Sequence, residues 1–533
     1  MGIIKVFTKK VEEGCYPLAI ANSIHFSYSD DGLDFVELNH GYGILFAEAA
    51  IREDNTLEER GLINPQIQKR DGDYLVTATL ADAEGMPVMP ETIVTFTTKD
   101  FVHFERQALA NEKKAACDSV EIPDSLREGI YERWIPLQAV EVNFPNRIQL
   151  SEVEEIASVK ASVEYSDGSC HEKRVMWDMQ SLTPLGEDNY EIHGKLQAVH
   201  TGFPLAAGFA DPVFFQWKGS WYYVATNDNL NDIGIYVRRA ETVEGLFAEN
   251  VEQKCILDYD KERKLCQTFW APEFHVIGER LYLLFAVSGE VWGPQCHMMR
   301  LREGGDILKP EDWEEPVRVC RADGSDLAGE GITLDMTFFR TNKKTYLCWS
   351  YRYGIGTPSD TGSMLCIAEA DEAKPWILAS NPVLISRPLL GWENVAGTIN
   401  NEGPYALILG DTLYLAYSGG AATGYTYAVG YLKASMDADL LDVSSWTKEP
   451  TAVLASGYVD GIQGPGHNSF FQDEAGNLMI AYHAQEREKY FCRCSAFHRV
   501  HISKNGFPLL DVVGNRDVAE EMADVSVTFT LCS

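Results

Sequence analysis

One pattern recurs along the second half of this 533-residue chain: a tight polar turn followed at once by a dense apolar strand. The copies start about 60 to 68 residues apart, a period typical of the blades of a β-propeller. The five copies are GSWYYVAT (219–226), GERLYLLFA (278–286), NKKTYLCWS (342–350), GDTLYLAYS (410–418) and GNLMIAYHA (476–484). Helical periodicity is scarce, so the pattern predicts an all-β chain in which residues 201–510 form a five-bladed β-propeller. A long β-sandwich is the alternative.

A sixth copy lies near the N-terminus. NPQIQKRDGDYLVTAT (64–79) matches DPVFFQWKGSWYYVAT (211–226) in length and turn position, but it begins with Asn64 where the other begins with Asp211. Because a neutral amide cannot act as a base, residues 1–117 are predicted to be a non-catalytic β region resembling propeller blades. Residues 118–200 resemble bacterial Ig-like modules and are predicted to form an Ig-like β-sandwich module. Residues 511–533 are predicted to be a C-terminal strand that closes the ring or packs on another domain.

Charge and cysteine content restrict the partners. With 79 acidic against 45 basic residues, the net charge of −34 repels nucleic acid and anionic membranes and fits a soluble protein whose ligand is neutral. The alternative is that the acidity only keeps a large protein soluble. No apolar run of about 18 residues is present, and the first residues lack the apolar core of a signal peptide. The 12 Cys are scattered without a CxxC pair, which argues against structural zinc and, with the other observations, predicts a cytoplasmic protein.

Three carboxylates stand at the starts of predicted innermost strands: Asp211 in GFADPVFF, Asp335 in ITLDMTFF and Glu402 in NNEGPYAL. They are 124 and 67 residues apart, about two blades and one blade, so we expect them to converge on the propeller axis. Partial burial and mutual repulsion separate the pKa values of such groups, and one proton donor with one base hydrolyses a glycosidic bond. Each acid alone is also compatible with an ordinary turn or strand end.

At these residues the sequence resembles glycoside hydrolase family 43, from about residue 203 to 500. The resemblance rests on ADP (210–212), WAPEFH (270–275), the Asp335 segment, NEGPY (401–405) and GPGHNSFF (464–471) in this order. It implies an inverting glycosidase with Asp211 as general base, Asp335 as pKa modulator and Glu402 as general acid. It also favours release of terminal α-L-arabinofuranose from plant-derived oligosaccharides. The alternatives are a β-xylosidase of the same family and, in another class, a non-catalytic sugar-binding propeller.

Five further residues are candidates for contact with the sugar. His467 is either a plain core histidine or a residue near the axis, where the resemblance implies a structural calcium ion or a water cluster. Calcium prefers oxygen ligands, so a lone His predicts an ion held mainly through water, with no cofactor required for the chemistry. Trp270 is a stacking or a blade-core residue, Glu273 a sugar ligand or a loop brace, and Trp292 a pocket-lining residue of a mouth loop. Arg352 is a sugar donor or a surface residue.

Overall fold

The structure is a computed structural model that describes residues 1–12, 14, 16–107, 117–197, 202–395, 398–486 and 492–532. The chain divides into two compact units, Met1–Asp124 with Gly202–Phe497, and Ser125–Thr201 with His498–Ser533. Both are built from β-strands, which confirms the all-β prediction. The described α-helices are Leu18–Ala21 and Arg127–Trp134; the 3₁₀ turns are Asn39–Gly41, Asp124–Leu126, Val153–Ser158, Met179–Ser181, Asp228–Leu230, Glu244–Phe247, Pro310–Asp312, Val443–Ser445, Gly514–Arg516 and Glu520–Met522. In the described part of the chain no helix has the length and apolar character needed to cross a membrane.

Five four-stranded antiparallel sheets, here called blades 1 to 5, make up most of the first unit, and each is given from its innermost strand outward. Blade 1 is Phe209–Trp217, Ser220–Asn227, Ile235–Ala240 and Glu252–Leu257; blade 2 is Gln267–Ile277, Arg280–Ser288, Gln295–Arg300 and Val317–Arg318; blade 3 is Ile332–Arg340, Thr345–Arg352, Met364–Glu369 and Val383–Ser386; blade 4 is Glu402–Leu409, Thr412–Gly419, Ala428–Ser435 and Thr447–Lys448; blade 5 is Ile462–Gln472, Leu478–Glu486, Arg493–Arg499 and Gly202–Ala207.

The ring of blades closes on itself. The outermost strand of blade 5 comes from Gly202–Ala207, which precedes blade 1 in the chain and pairs with Arg493–Arg499. Each innermost strand contacts the innermost strands of its two neighbours in cyclic order. Apolar and aromatic side chains fill the space between successive blades, as between blades 1 and 2, where Phe269, Phe274 and Phe285 are buried. Closure removes open sheet edges at the centre and leaves one polar axis.

Each innermost strand contains a β-bulge near its start, where the pairing register shifts at a residue with a positive φ, and blades 2 and 5 have a second such bulge at Thr268 and Gly464. Such a conformation costs about 1–3 kcal/mol for a residue other than glycine. A bulge also re-aims the side chain that it carries. The bulge residues at the matching position of blades 1 to 5 are Asp211 (φ 54°), Ala271 (47°), Asp335 (56°), Gly403 (57°) and His467 (47°).

The N-terminal part of the first unit contributes two further four-stranded sheets. One has the order Ser119–Ile122, Gly2–Phe7, His25–Ser29 and Val36–Glu37; the other has the order Gly61–Arg70, Asp73–Ala81, Ile93–Thr98 and Glu105–Arg106. Ala50–Ile51 pairs with Leu57–Glu58. In the second sheet Asn64 has a φ of 52° beside a register shift, the same local geometry as the innermost strands of the blades.

The second unit holds a three-stranded and a five-stranded sheet. Their strands are Ala139–Asn143, Ala161–Tyr165 and Cys170–Lys173 in the first, and Ile148–Leu150, Asp524–Leu531, Asn189–Leu196, Val175–Trp177 and Thr183–Gly186 in the second. His501–Ile502 pairs with Pro508–Leu509. The C-terminal strand therefore pairs inside this unit. A buried Asp517 accepts from Lys173 at 2.7 Å and from Arg499 at 2.6 Å, so its charge is compensated.

Candidate active site

Asp211 lies at the bulge of blade 1 with its carboxylate buried among cationic and donor groups. Its Oδ2 accepts a hydrogen bond from the Thr226 hydroxyl at 2.6 Å. Its Oδ1 lies 3.1 Å from His483 Nδ1, 3.3 Å from His467 Nδ1 and 3.8 Å from Arg493 Nη1. Burial alone would raise the pKa of Asp211, but the charges of His467 and Arg493 and the bond from His483 outweigh it and hold this pKa below its ordinary value. Asp211 is therefore ionised at neutral pH.

Asp335 occupies the matching bulge of blade 3. Its Oδ2 accepts from the Ser350 hydroxyl at 2.9 Å and from the Gly403 backbone N–H at 3.1 Å. Burial raises the pKa of Asp335; the charge of His467 opposes this shift, and the smaller effect of the Asp211 charge adds to it. The bond to Gly403 joins Asp335 directly to the strand that carries the third acid.

Glu402 begins the innermost strand of blade 4, and its carboxyl group is buried. Oε1 accepts from the Tyr427 hydroxyl at 2.9 Å, and Oε2 lies 3.4 Å from the Ser363 hydroxyl that donates to it. Burial, followed by the charge of Asp335, raises the pKa of Glu402 to about 7. Glu402 therefore keeps its proton under conditions in which Asp211 is ionised.

Glu402 differs from the two aspartates in its place on the strand. It pairs with Ser418, one residue before the bulge, whereas Asp211 and Asp335 are bulge residues themselves. Gly403 takes the positive φ in blade 4, and a Cβ there would lie 3.1 Å from the His467 ring. Since Asp211, Asp335 and His467 take a similar positive φ in their own blades, it is the close approach of the His467 ring that favours glycine at this position.

His467 lies among the three acids, not in an apolar core. Besides the contact with Asp211, its backbone N–H donates to the Ser418 hydroxyl at 2.7 Å. Burial would lower the pKa of His467, but Asp211, Asp335 and Glu402 together raise it. A protonated imidazole at this point offsets part of the negative charge of the site.

A buried polar network supports the loop that leads to Glu402. The Glu393 carboxylate accepts from Asn401 Nδ2 at 2.9 Å, from the Tyr417 hydroxyl at 2.7 Å and from Lys448 Nζ at 2.6 Å. The Leu390 N–H donates to its other oxygen at 2.9 Å. These bonds fix the residue immediately before the acid.

Trp292 and Arg352 line a cavity of about 380 Å³ formed by loops of blades 2 and 3. The Trp292 side chain is 42% exposed, as expected of a mouth loop. The structure does not place Arg352 as an exposed surface residue. Its side chain is half-buried and forms a two-point ion pair with Asp360 at 2.7 and 2.8 Å. Its third nitrogen donates to Asn400 Oδ1 at 3.0 Å, two residues before Glu402.

Trp270 and Glu273 lie on the innermost strand of blade 2. The Trp270 indole N–H donates to Asp232 Oδ2 at 2.8 Å, and the ring is partly exposed, so it is not a blade-core residue. Glu273 is buried and its Oε2 lies 2.7 Å from His275 Nε2, an arrangement that fits a brace within the strand.

The described residues of the site do not offer the set of oxygen ligands that a calcium ion prefers. In the described ranges no group of three or more His, Cys, Asp or Glu side chains has the arrangement of a metal site. His467 Nδ1 is engaged with Asp211, and a protonated ring repels a cation. The described residues do not fit a directly ligated ion, and structural calcium stays a prediction that no step below uses.

The partners of the acids were missed by reasoning from the sequence, although the repeats contained a signal. In blades 1, 3, 4 and 5 the second strand carries a hydroxyl or a histidine opposite the residue that precedes the bulge, whereas blade 2 has Ala286 there. The four polar residues bond a bulge residue or its carboxylate: Thr226, Ser350, Ser418 and His483. Thr226, Ser350 and Ser418 are the last residues of their repeats and His483 is second to last in its own, so alignment of the repeats points to them. Tyr427 and Arg493 follow no such pattern.

Comparison with known proteins gives one family. Residues 202–508 match the description "Glycosyl hydrolases family 43". An "Extracellular exo-alpha-(1->5)-L-arabinofuranosidase" of Streptomyces avermitilis is 33% identical over 284 residues, which are 52% of this chain and 55% of that protein. A protein of the same name from Streptomyces chartreusis is 31% identical over 287 residues, 53% of this chain and 82% of that one. The chain thus spans about half the length of the first relative.

Among solved structures, an alpha-L-arabinofuranosidase from Lactobacillus brevis is similar. The identity is 28% and the TM-score 0.50, with 58% of this chain and 95% of that chain covered. The prediction of a cytoplasmic protein is wrong by the sequence comparison, because both Streptomyces relatives are named extracellular enzymes. That prediction relied on unpaired cysteines, and the eleven cysteines in the described ranges are indeed free thiols, but free thiols do not exclude secretion.

Proposed function

Because the chain belongs to glycosyl hydrolases family 43, we propose that it is an inverting glycosidase that releases terminal α-L-arabinofuranose from plant-derived oligosaccharides. The names of the Streptomyces and Lactobacillus relatives support the choice of sugar. The observation that carries the proposal is the separation of two pKa values in one site. The pKa of Asp211 is lowered while that of Glu402 is raised to about 7, which prepares one base and one acid.

Asp211 acts as the general base in this proposal. Its carboxylate is ionised and already hydrogen-bonded on both oxygens, so its orientation is fixed before substrate arrives. It takes a proton from a water molecule, and that water attacks the anomeric carbon from the face opposite the leaving group. The proton ends on Asp211 Oδ1 or Oδ2 and the new bond is formed with inversion.

Glu402 acts as the general acid. Its proton passes to the glycosidic oxygen as the bond between that oxygen and the anomeric carbon breaks. The Tyr427 hydroxyl, 2.9 Å from Oε1, orients the carboxyl group and stabilises the carboxylate that remains. Solvent then returns the proton to Glu402 and removes the one on Asp211.

Asp335 and His467 shift the pKa values of the acid Glu402 and the base Asp211. The charge of Asp335 raises the pKa of Glu402, and the imidazolium of His467 lowers that of Asp211. Since both lie in low-dielectric surroundings, small displacements change these pKa values strongly. We assign Asp335 the role of pKa modulator and His467 that of a charge-balancing residue at the sugar.

The test is hydrolysis of nitrophenyl glycosides by the wild type and by Asp211→Asn. We expect release from α-L-arabinofuranoside above all, and a loss of at least about a hundredfold in the variant. Asp258→Asn, an exposed change in the same blade, is the matched control and should keep wild-type activity. Cleavage of β-D-xylopyranoside in preference would move the assignment to a β-xylosidase. Binding of sugars without any hydrolysis would favour the non-catalytic class.

The acids of the proposed chemistry all come from the ring of blades. We propose that the sheet of Gly61–Arg70 is a non-catalytic relative of a blade, because its strand order and the geometry at Asn64 match those of blade 1. We propose that the second unit is an Ig-like module, because its three-stranded and five-stranded sheets both contribute to one apolar cluster that includes Ala161, Val163, Val175 and Leu196. Neither contributes an acid to the chemistry.

A further inference from the structure

A separate cavity of about 220 Å³ lies within the first unit, between the N-terminal region and the propeller. One wall comes from residues that precede the propeller in sequence by several hundred positions. The other comes from the loop before the innermost strand of blade 5. The lining residues used below are Tyr16, His40, Tyr42, Ser456, Asp460 and Gln463.

The N-terminal wall is held in place by direct bonds to the propeller. The Tyr458 hydroxyl donates to Asn39 Oδ1 at 2.9 Å, and the His40 ring stacks on Tyr458 with centroids 4.3 Å apart. The Thr451 hydroxyl donates to the Gly43 carbonyl at 2.6 Å. Asn39 and His40 both have positive φ, a conformation that persists only where surrounding contacts determine it. The cavity is therefore preformed.

The cavity is linked to the acid through the innermost strand of blade 5 and a turn of blade 4. Gln463 precedes His467 by four residues in one strand, a separation of at most roughly 13 Å, which the register shifts in this strand shorten. The Ser456 hydroxyl accepts from the Gly464 N–H at 2.8 Å and donates to the Tyr425 carbonyl. Two residues after Tyr425 comes Tyr427, whose hydroxyl donates to Glu402. The loop at the cavity and the acid are thus linked through one short segment.

We propose that this cavity binds the sugar of the leaving group, so that the N-terminal region selects oligosaccharides over other arabinofuranosides. The inference rests on the proposed function. A general acid protonates the leaving oxygen, so the leaving sugar must lie on the acid's side of the site. A volume of 220 Å³ equals the share of about seven water molecules, which suits one pentose ring. Aromatic faces with a few polar groups are typical of such pockets.

The variant His40→Asn tests this. Asn tolerates the left-handed conformation, so the fold of the turn is kept while the ring is lost. We expect kcat/KM on α-1,5-arabinotriose to fall about tenfold, while kcat/KM on nitrophenyl α-L-arabinofuranoside, which has no leaving sugar, changes by less than about twofold. His103→Asn, at a side chain 84% exposed in the same region, is the matched control. Gln463→Ala, on the opposite wall, should reproduce the split between substrates.

A second measurement needs no turnover. Calorimetric titration of arabinotriose into Glu402→Gln and into the double variant with His40→Asn should give an affinity about tenfold lower for the double variant. Equal losses on both substrates, or no loss on the trisaccharide in either variant, would overturn the subsite while leaving the glycosidase intact. A wild type that releases arabinose from neither substrate would overturn the proposed function and this inference with it.

Discussion

Replacing Glu402 with Gln removes a proton from the site while keeping the size of the side chain. In the wild type, kcat/KM should fall about tenfold per pH unit above a pKa of about 7, because the acid is then ionised. The variant should lack this limb. It should also be slower by about 10² to 10⁴ on substrates with poor leaving groups, and less so on nitrophenyl glycosides, whose leaving oxygen needs little help.

The same substitution has a consequence for stability that follows from linkage. The pKa of Glu402 is raised from 4.5 to about 7 on folding, so the folded state holds this proton more tightly than the unfolded chain. The associated stabilisation is complete below about pH 4.5 and is lost as pH rises through about 7. At 1.36 kcal/mol per pKa unit the loss amounts to about 3 kcal/mol. Gln does not titrate, so the variant should gain about 3 kcal/mol relative to wild type between pH 4 and pH 8.

Urea unfolding at pH 4, 6 and 8, followed by tryptophan fluorescence, measures this difference, with thermal midpoints as a second readout. Glu249→Gln, an exposed change in blade 1, is the control and should follow wild type at every pH. Parallel pH dependence in wild type and Glu402→Gln would refute the raised pKa. A basic limb near pH 7 that survives in the variant would assign the limb to another group.

Three further substitutions test the surroundings of the acid. Asp335→Asn removes the charge that, after burial, raises the pKa of Glu402, so the basic limb of kcat/KM should move to lower pH; an unmoved limb would contradict this role. Tyr427→Phe removes a hydrogen bond that lowers the same pKa, so the limb should move the opposite way, and a shift in the same direction as Asp335→Asn would count against the assignment. Glu393→Ala leaves the half-buried Lys448 without its carboxylate and should destabilise the protein by about 3 kcal/mol in urea unfolding; a change within 0.5 kcal/mol, as is usual for a surface site, would show that the network does not support the loop.

The convergence of three acids could be predicted because repeat spacing determines which blade each residue enters, and innermost strands meet at one axis. The exact position of each acid on its strand could not be predicted. Glu402 lies one position away from the place of the aspartates, since Gly403 takes the bulge. The surface interpretation of Arg352 failed because its partners, Asp360 and Asn400, come from loops whose course has no period. The spacing of the repeats gives the order of the blades around the ring. It does not determine which side chains of different loops contact each other, because those contacts depend on packing.

The contacts between the N-terminal region and the propeller were equally beyond prediction. Asn39 bonds Thr451 and Tyr458 across more than 400 residues, and nothing in either local sequence indicates the pairing. By contrast, the relation of Asn64 to Asp211 was visible, because turn length and strand pattern are local properties.

The stereochemistry of the first product tests the central claim most directly. Proton NMR of α-L-arabinofuranoside hydrolysis, with enough enzyme to outrun mutarotation, should show β-L-arabinofuranose first and the α anomer only later. This result is expected because Asp211 activates water opposite a leaving group protonated by Glu402. Initial appearance of the α anomer, or failure to release arabinose at all, would contradict the assignment of base and acid.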